Sequence, residues 1–211
     1  MYLNAARQSL PVTDKVTAHT YQIMYGQYLL PYYVKVPEMK MLEIGLGCNM
    51  SYGPGASAKL HKQLFPRAEL WEADYDAGCV ESCKKDGKLD GFRTLVGDQG
   101  HVETLDRWIL ESGGNFDVIV DDGGHGNCLI WTSFSKLWPT LKRGGLYFIE
   151  DMQVANWTEF QTRADPKCGM GLLVPNKIKE MVEVLIYDSE RKMGNIKFVF
   201  CQSEACVIAK A

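Results

Sequence analysis

Two acidic pairs and one histidine are the residues of this sequence best placed to do chemistry. Asp121-Asp122 follows the apolar run 116–120, and His125 lies three residues beyond Asp122. Glu150-Asp151 follows a second apolar run, 146–149. Each run has the length of a strand, and each ends on acids. In an open parallel sheet, ligands gather outside the carboxyl ends of the strands. Neighbouring strands that end this way would bring four carboxylates and an imidazole to one rim. Like charges so close are costly unless a cation or a proton sits among them. A metal site is therefore expected, and oxygen donors suit Mg²⁺ or Mn²⁺ better than zinc. His125 is read as a general base, as a turn residue capping the next helix, or as a contact to metal or substrate. Glu150-Asp151 is read as metal-binding, with a helix N-cap as the alternative.

The elements that must position these residues follow from the hydrophobic pattern. Residues 40–44 read as a core strand that runs into Gly45-Leu46-Gly47, where glycine lets the backbone turn tightly against a ligand. A long polar loop, 48–55, leads to a helix over 57–65. The next strand, 69–73, ends at Asp74, 27 residues after Gly47. An acid there suits a ribose diol, with Glu72 as the competing residue. A helix over 77–86 and a strand over 92–96 follow, ending in Gly97-Asp98-Gln99. Asp98 is read as a ligand contact or as a plain turn residue. A helix over 100–111 and the two acid-ended strands complete a βαβ series. After Asp151 the pattern loosens until a helix over 176–187. Runs 196–201 and 205–209 leave room only for a tight hairpin. The expected fold is therefore α/β: a Rossmann-like, doubly wound, mostly parallel seven-stranded sheet with a C-terminal antiparallel hairpin. Residues 1–39 read as a helical lid or extension, with a helix over about 15–29 that Pro31 ends. The whole chain, 1–211, reads as one domain.

Composition narrows the function. The formal charge is −3, which gives no basic field for nucleic acid, and no apolar run has membrane-spanning length. The seven cysteines are odd in number and lack a CxxC. They read as reduced thiols of a cytoplasmic protein. A zinc site at Cys79 and Cys83 is disfavoured. His61 and His101 read as surface residues. Trp157 is a core anchor or a substrate wall.

These residues carry a family resemblance. The chain resembles a class I S-adenosylmethionine-dependent methyltransferase, and more narrowly the metal-dependent macrocin/mycinamicin-type sugar O-methyltransferases. The matching stretches are Thr13-Asp14-Lys15, Leu42-Glu43-Ile44-Gly45, Gly55-Ala56-Ser57, Gly97-Asp98-Gln99, Asp121-Asp122-Gly123-Gly124-His125, Gly144-Gly145-Leu146-Tyr147 and Ile149-Glu150-Asp151-Met152-Gln153. The resemblance implies Mg²⁺ held by Asp122, Glu150 and Asp151, with His125 as general base. It implies that Glu43, Gly45, Gly47, Ser57 and Asp74 hold the methionine and ribose parts of S-adenosyl-L-methionine. Asp98 and Gln99 lie where the family contacts adenine, and Asp121 lies near the methionine end. The implied acceptor is a hydroxyl of a small natural product or sugar, as in secondary metabolite biosynthesis. The chain is expected to act as a monomer or homodimer. One departure stands inside the motif: the family has Ser before the histidine, where this chain has Gly124.

Overall fold

A computed structural model describes residues 1–161, 171–187 and 195–211. Seven strands form one sheet in the order β3-β2-β1-β4-β5-β7-β6. They are β1 (Lys40–Ile44), β2 (Glu69–Asp74), β3 (Phe92–Val96), β4 (Phe116–Asp121), β5 (Leu141–Ile149), β6 (Ile196–Gln202) and β7 (Ala205–Lys210). The expected Rossmann-like architecture is borne out. β1–β2, β2–β3 and β4–β5 pair in parallel, whereas β7 pairs antiparallel with both β5 and β6. The chain divides into two compact units, Met1–Gly97 and Asp98–Ala211, where the sequence reads as one domain.

In the first unit β1 and β2 are buried along nearly their whole length, as parallel strands covered on both faces must be, whereas β3 at the sheet edge buries only Leu95. Helix Ala56–Leu64 begins after Gly55 in left-handed conformation. Helix Ala77–Lys85 is N-capped by Asp76, whose Oδ1 accepts from Cys79 N at 2.9 Å. The N-terminal expectation needs correction. Residues 15–29 are not one α-helix. A 3₁₀ turn, Asp14–Val16, is followed by Gln22–Met24, a π-helical turn Tyr25–Leu29, and helix Leu30–Lys35. Pro31 does not end the helical run: Leu29 and Leu30 before it keep right-handed helical backbone angles, and the run continues through Lys35. The π turn directly before Pro31 is the local irregularity that accompanies its missing amide.

In the second unit β4 is buried along its whole length. β5 starts at Leu141, earlier than the run 146–149 suggests, because Lys142 to Gly145 form an irregularity inside the strand. Phe116 pairs with Leu141 and Val118 with Leu146, so two residues of β4 span five of β5. Gly145 is required at that kink: a Cβ there would lie 2.9 Å from the Asp117 carbonyl oxygen. The parallel register then brings Asp121 opposite Ile149. The two acid-bearing strand ends therefore meet at one edge, as the sequence pattern implies. Helix Asn127–Leu137 follows β4, and helix Val174–Tyr187 precedes the hairpin. The loose segment after Asp151 includes residues 162–170, which lie outside the described residues. No helix among the described residues is long and apolar enough to cross a membrane.

The cysteines depart from the reduced-thiol expectation. Cys48–Cys79 and Cys201–Cys206 are disulfides, and Cys128 is disulfide-bonded as well. The free cysteine among the described residues is Cys83, which is buried. Sequence spacing alone misdirects here. Cys79 and Cys83 are four apart, but Cys83 packs with Leu46, Ala58, Val80 and Leu89 in a small core, while Cys79 reaches back to the loop after β1.

Candidate active site

The second unit gathers the chemistry. Asp122, His125 and Asp151 each offer a ligand atom, and those atoms lie within 4.8 Å of one another. His125 Nε2 is 3.4 Å from Asp151 Oδ2, with side chains 24% and 16% exposed, so the group is screened but reachable. His125 Nδ1 is buried without a hydrogen-bond partner. Buried polar atoms are rarely left so unless a ligand, ion or water completes them. His125 and Asp151 also have φ of 51° and 56°. Non-glycine residues in that region cost about 1–3 kcal/mol each and cluster at functional sites. The two carboxylates converging at the rim fit a hard divalent cation, and the imidazole beside them suits proton transfer. Glu150, expected as a third ligand, does not belong to the group and is only 1% exposed.

Behind this rim lies a buried polar brace. Asp121 Oδ1 accepts from Gln99 Nε2 at 2.8 Å. Its Oδ2 accepts from Ser133 Oγ and, at 3.2 Å, from Tyr147 Oη. Burial pushes the Asp121 carboxyl up, against the pull of these donors. Gln99 Oε1 in turn accepts from Gly124 N at 3.0 Å. Gln99 thus links the end of β4 to the turn that carries Asp122 and His125. Gly124 explains the departure from the family motif. A Cβ at 124 would lie 2.4 Å from Leu129 Cδ1, so a serine there would require the Leu129 side chain to turn aside. Asn127 closes the other side: its Nδ2 donates to Ala155 O at 2.7 Å and its Oδ1 accepts from Val174 N at 2.8 Å. The sequence assigns no site role to Ser133, Tyr147 or Asn127. The bonds that place them in the brace span 12 to 47 residues, beyond the reach of any local pattern. Asp98 is exposed, and its Oδ1 accepts from Gly100 N at 2.7 Å, the turn geometry weighed above. Trp157 is 54% exposed and so is not a core anchor.

The first unit holds the glycine loop. Gly45 and Gly47 have φ of 104° and 75°, values that glycine alone adopts freely. Asp74 Oδ2 accepts from Leu46 N at 3.0 Å, and its Oδ1 from Asp76 N at 2.9 Å. The acid at the end of β2 therefore fixes the loop after β1. Ser57 is buried in the first turn of helix Ala56–Leu64.

Glu43 sits in a buried charge cluster. His61 Nδ1 is 2.9 Å from Glu43 Oε2, Lys15 Nζ is 3.3 Å from Oε1, and Tyr2 Oη is 3.2 Å from His61 Nε2. His61 is thus a core residue at 1% exposure, correcting the surface expectation, whereas His101 is exposed. Burial alone would raise the Glu43 carboxyl, but His61 and Lys15 outweigh it and hold it at about 2, below its ordinary 4.5. A depressed acid contributes stability that is present above about pH 4.5 and is lost as pH falls through about 2. Removing one partner of a buried ion pair typically costs about 3–5 kcal/mol. Lys15→Met is therefore expected to lower stability by about that amount at neutral pH in a denaturant titration. A change under about 1 kcal/mol would show that His61 alone suffices for Glu43.

The fold is that of a class I S-adenosylmethionine-dependent methyltransferase, and the resemblance to the macrocin/mycinamicin type holds in both sequence and structure. The chain is 39% identical over 133 residues to mycinamicin VI 2''-O-methyltransferase of Micromonospora griseorubida, covering 62% of this chain and 31% of that protein. It is 32% identical over 162 residues to L-olivosyl-oleandolide 3-O-methyltransferase of Streptomyces antibioticus, covering 76% of this chain and 40% of that protein. The structure of MycE, a methyltransferase of mycinamycin biosynthesis in complex with Mg, SAH and mycinamycin VI, superposes with a TM-score of 0.80. That match has 27% identity and covers 100% of this chain and 53% of MycE. No protein-family model matches the chain. The chain spans about a third to two-fifths of the length of the curated relatives it matches.

Proposed function

We propose that this chain is an S-adenosyl-L-methionine-dependent, Mg²⁺-assisted O-methyltransferase whose acceptor is a hydroxyl of a sugar or small natural product. The observation that carries this reading is the convergence of Asp122, His125 and Asp151 at the paired ends of β4 and β5. Its likeness to sugar O-methyltransferases supports the acceptor class. Asp122 and Asp151, with Glu150 proposed as the third acid, would hold Mg²⁺, which would supply Lewis-acid polarisation of the acceptor hydroxyl. The residues of the chain do the rest. Nε2 of His125, the nitrogen turned toward Asp151, takes the hydroxyl proton as the oxygen attacks the methyl group. The Asp151 carboxylate beside it stabilises the resulting imidazolium. The Gln99–Asp121 brace holds the turn that carries His125, so little reorganisation accompanies the proton transfer. Gly45 and Gly47 give close backbone approach to the cofactor, and Asp74 fixes their loop; Glu43, Ser57 and Asp98 complete the proposed cofactor contacts. We take the two units to work as one catalytic domain, as a monomer or homodimer, without nucleic-acid or membrane partners.

Calorimetric titration with S-adenosylmethionine and its demethylated product, with and without Mg²⁺, tests the two halves separately. Micromolar cofactor binding and a distinct, chelator-sensitive Mg²⁺ signal are expected. Cofactor binding with no metal signal would favour a metal-independent N- or carboxyl-methyltransferase. Absence of both would overturn the reading.

A further inference from the structure

The cysteines point to where the protein works. Cys48 lies in the loop directly after Gly47, and Cys79 in the first turn of helix Ala77–Lys85; a disulfide joins them across 31 residues of chain. Both pack against the core of Leu46, Ala58, Val80 and Leu89. Cys201 and Cys206 are register partners across the β6–β7 hairpin and are joined as well. Cys128 is also disulfide-bonded. The remaining described cysteine, Cys83, is 1% exposed, and burial raises its thiol, which makes it a poor nucleophile. Among the described residues no free thiol is thus offered to solvent. Glutathione and thioredoxin keep most cytosolic thiols reduced, whereas bridges form and persist where exported proteins fold. Disulfides at two separate places, with the free thiol hidden, belong to the second setting.

We infer that this chain folds and works in an oxidising compartment, where the Cys48–Cys79 disulfide holds the loop after β1 in its cofactor-binding shape. Each bridge forms by thiol–disulfide exchange. Two thiols lose two protons and two electrons, and an oxidising disulfide of a thiol oxidase takes up the electrons and becomes a dithiol. Within the loop between Gly47 and Gly55, Met50 N donates to Gly47 O at 3.1 Å, Gly53 N to Met50 O at 2.9 Å and Gly55 N to Leu46 O at 2.9 Å. Asn49 Nδ2 reaches out to Tyr75 Oη at 3.3 Å in an exposed contact, and the disulfide is the covalent tie between the loop and helix Ala77–Lys85. The inference rests on the cofactor reading above for the role of that loop. On that reading the acceptor is a saccharide hydroxyl of a glycoconjugate passing through the compartment, in place of a cytosolic metabolite.

The test begins with the full chain secreted from a eukaryotic host, denatured without reductant in an alkylating agent, and mapped by peptide mass spectrometry. Linked 48–79 and 201–206 peptides are expected. Free, alkylated Cys48 and Cys79 would overturn the inference. The native chain is then equilibrated in glutathione buffers at secretory and at cytosolic poise, with thermal midpoint and affinity for the demethylated cofactor as readouts. Full reduction is expected to lower the midpoint by roughly 10 °C, given the loop the 48–79 bridge closes. It is also expected to weaken cofactor affinity about tenfold. Cys48→Ser/Cys79→Ser should reproduce the affinity loss, while Cys201→Ser/Cys206→Ser should lower the midpoint and leave affinity unchanged. Unaltered affinity after complete reduction would remove the loop role. If the Cys48→Ser/Cys79→Ser protein fails to fold, reduction of the native chain gives the same comparison. Absence of cofactor binding in the oxidised chain would sink the methyltransferase reading, and peptide mapping would still decide the compartment.

Discussion

Replacing His125 with alanine is expected to cut kcat by about 10²–10⁴-fold, the usual worth of a general base. The KM for the cofactor and the affinity for Mg²⁺ should stay near those of the parent chain. The same variant distinguishes a base from a metal ligand, since Nε2 faces Asp151 while Nδ1 is buried without a partner. A base that only takes a proton contributes to the transition state, so its loss lowers kcat and kcat/KM together. A metal ligand contributes to Mg²⁺ binding, so its loss raises the metal dissociation constant and is partly overcome by excess Mg²⁺. Activity measured against Mg²⁺ concentration therefore separates the two roles. Backbone strain complicates the variant: alanine at φ 51° tolerates the left-handed region less well than histidine. His125→Asn keeps a residue suited to that region and removes the base. Equal rate losses in both variants would assign the effect to the lost imidazole.

Much of the fold was legible because its signals are local. Each strand is an apolar run of ordinary length, and parallel pairing follows from the alternation with helices. Gly45 and Gly47 announced a turn and do adopt positive φ. The N-terminal region was harder. Tyr21, Tyr25 and Tyr28 suggested one helical face, yet Tyr25–Leu29 forms a π turn and the helical run carries on past Pro31. Local propensity cannot foresee that Tyr2 stacks on Tyr25 with ring centroids 4.9 Å apart and meets His61 from a distant helix. The rim of the site was legible in part. The acid-ended strands located Asp122, Asp151 and His125, but sequence adjacency grouped Glu150 with Asp151. Successive residues beyond a strand end point in different directions, and only Asp151 turns into the cluster. The cysteine pairing was illegible for a related reason. Spacing says nothing about which thiols the fold brings together, and Cys79 found Cys48 while its neighbour Cys83 joined the core.

The same geometry shapes the second large effect, on the metal. Asp151→Asn is the informative substitution, because asparagine shares the tolerance of aspartate for the left-handed conformation that Asp151 holds at φ 56°. It keeps the shape and one oxygen and removes the charge. Altering residues that merely orient a metal's ligands commonly costs 10–100-fold in affinity or activity, so losing a ligand charge should cost at least about 100-fold in Mg²⁺ affinity. Activity at limiting Mg²⁺ should fall in proportion. Asp122→Asn should behave alike, since its carboxylate belongs to the same 4.8 Å group. Folding should not suffer. Removing one of two neighbouring carboxylates relieves repulsion in the metal-free chain, so the thermal midpoint without Mg²⁺ should hold or rise slightly. The parent chain should gain stability on adding Mg²⁺, while the variants should gain little at the same concentration. Thermal melts against Mg²⁺ concentration read all three proteins without any acceptor substrate. If Asp151→Asn were stabilised by Mg²⁺ as strongly as the parent, the cluster would not be the metal site. Glu150→Gln then weighs the buried neighbour. A loss equal to that of Asp151→Asn would mean that Glu150 turns inward when metal binds, whereas an unchanged Mg²⁺ response would restrict the ligands to the group already assembled.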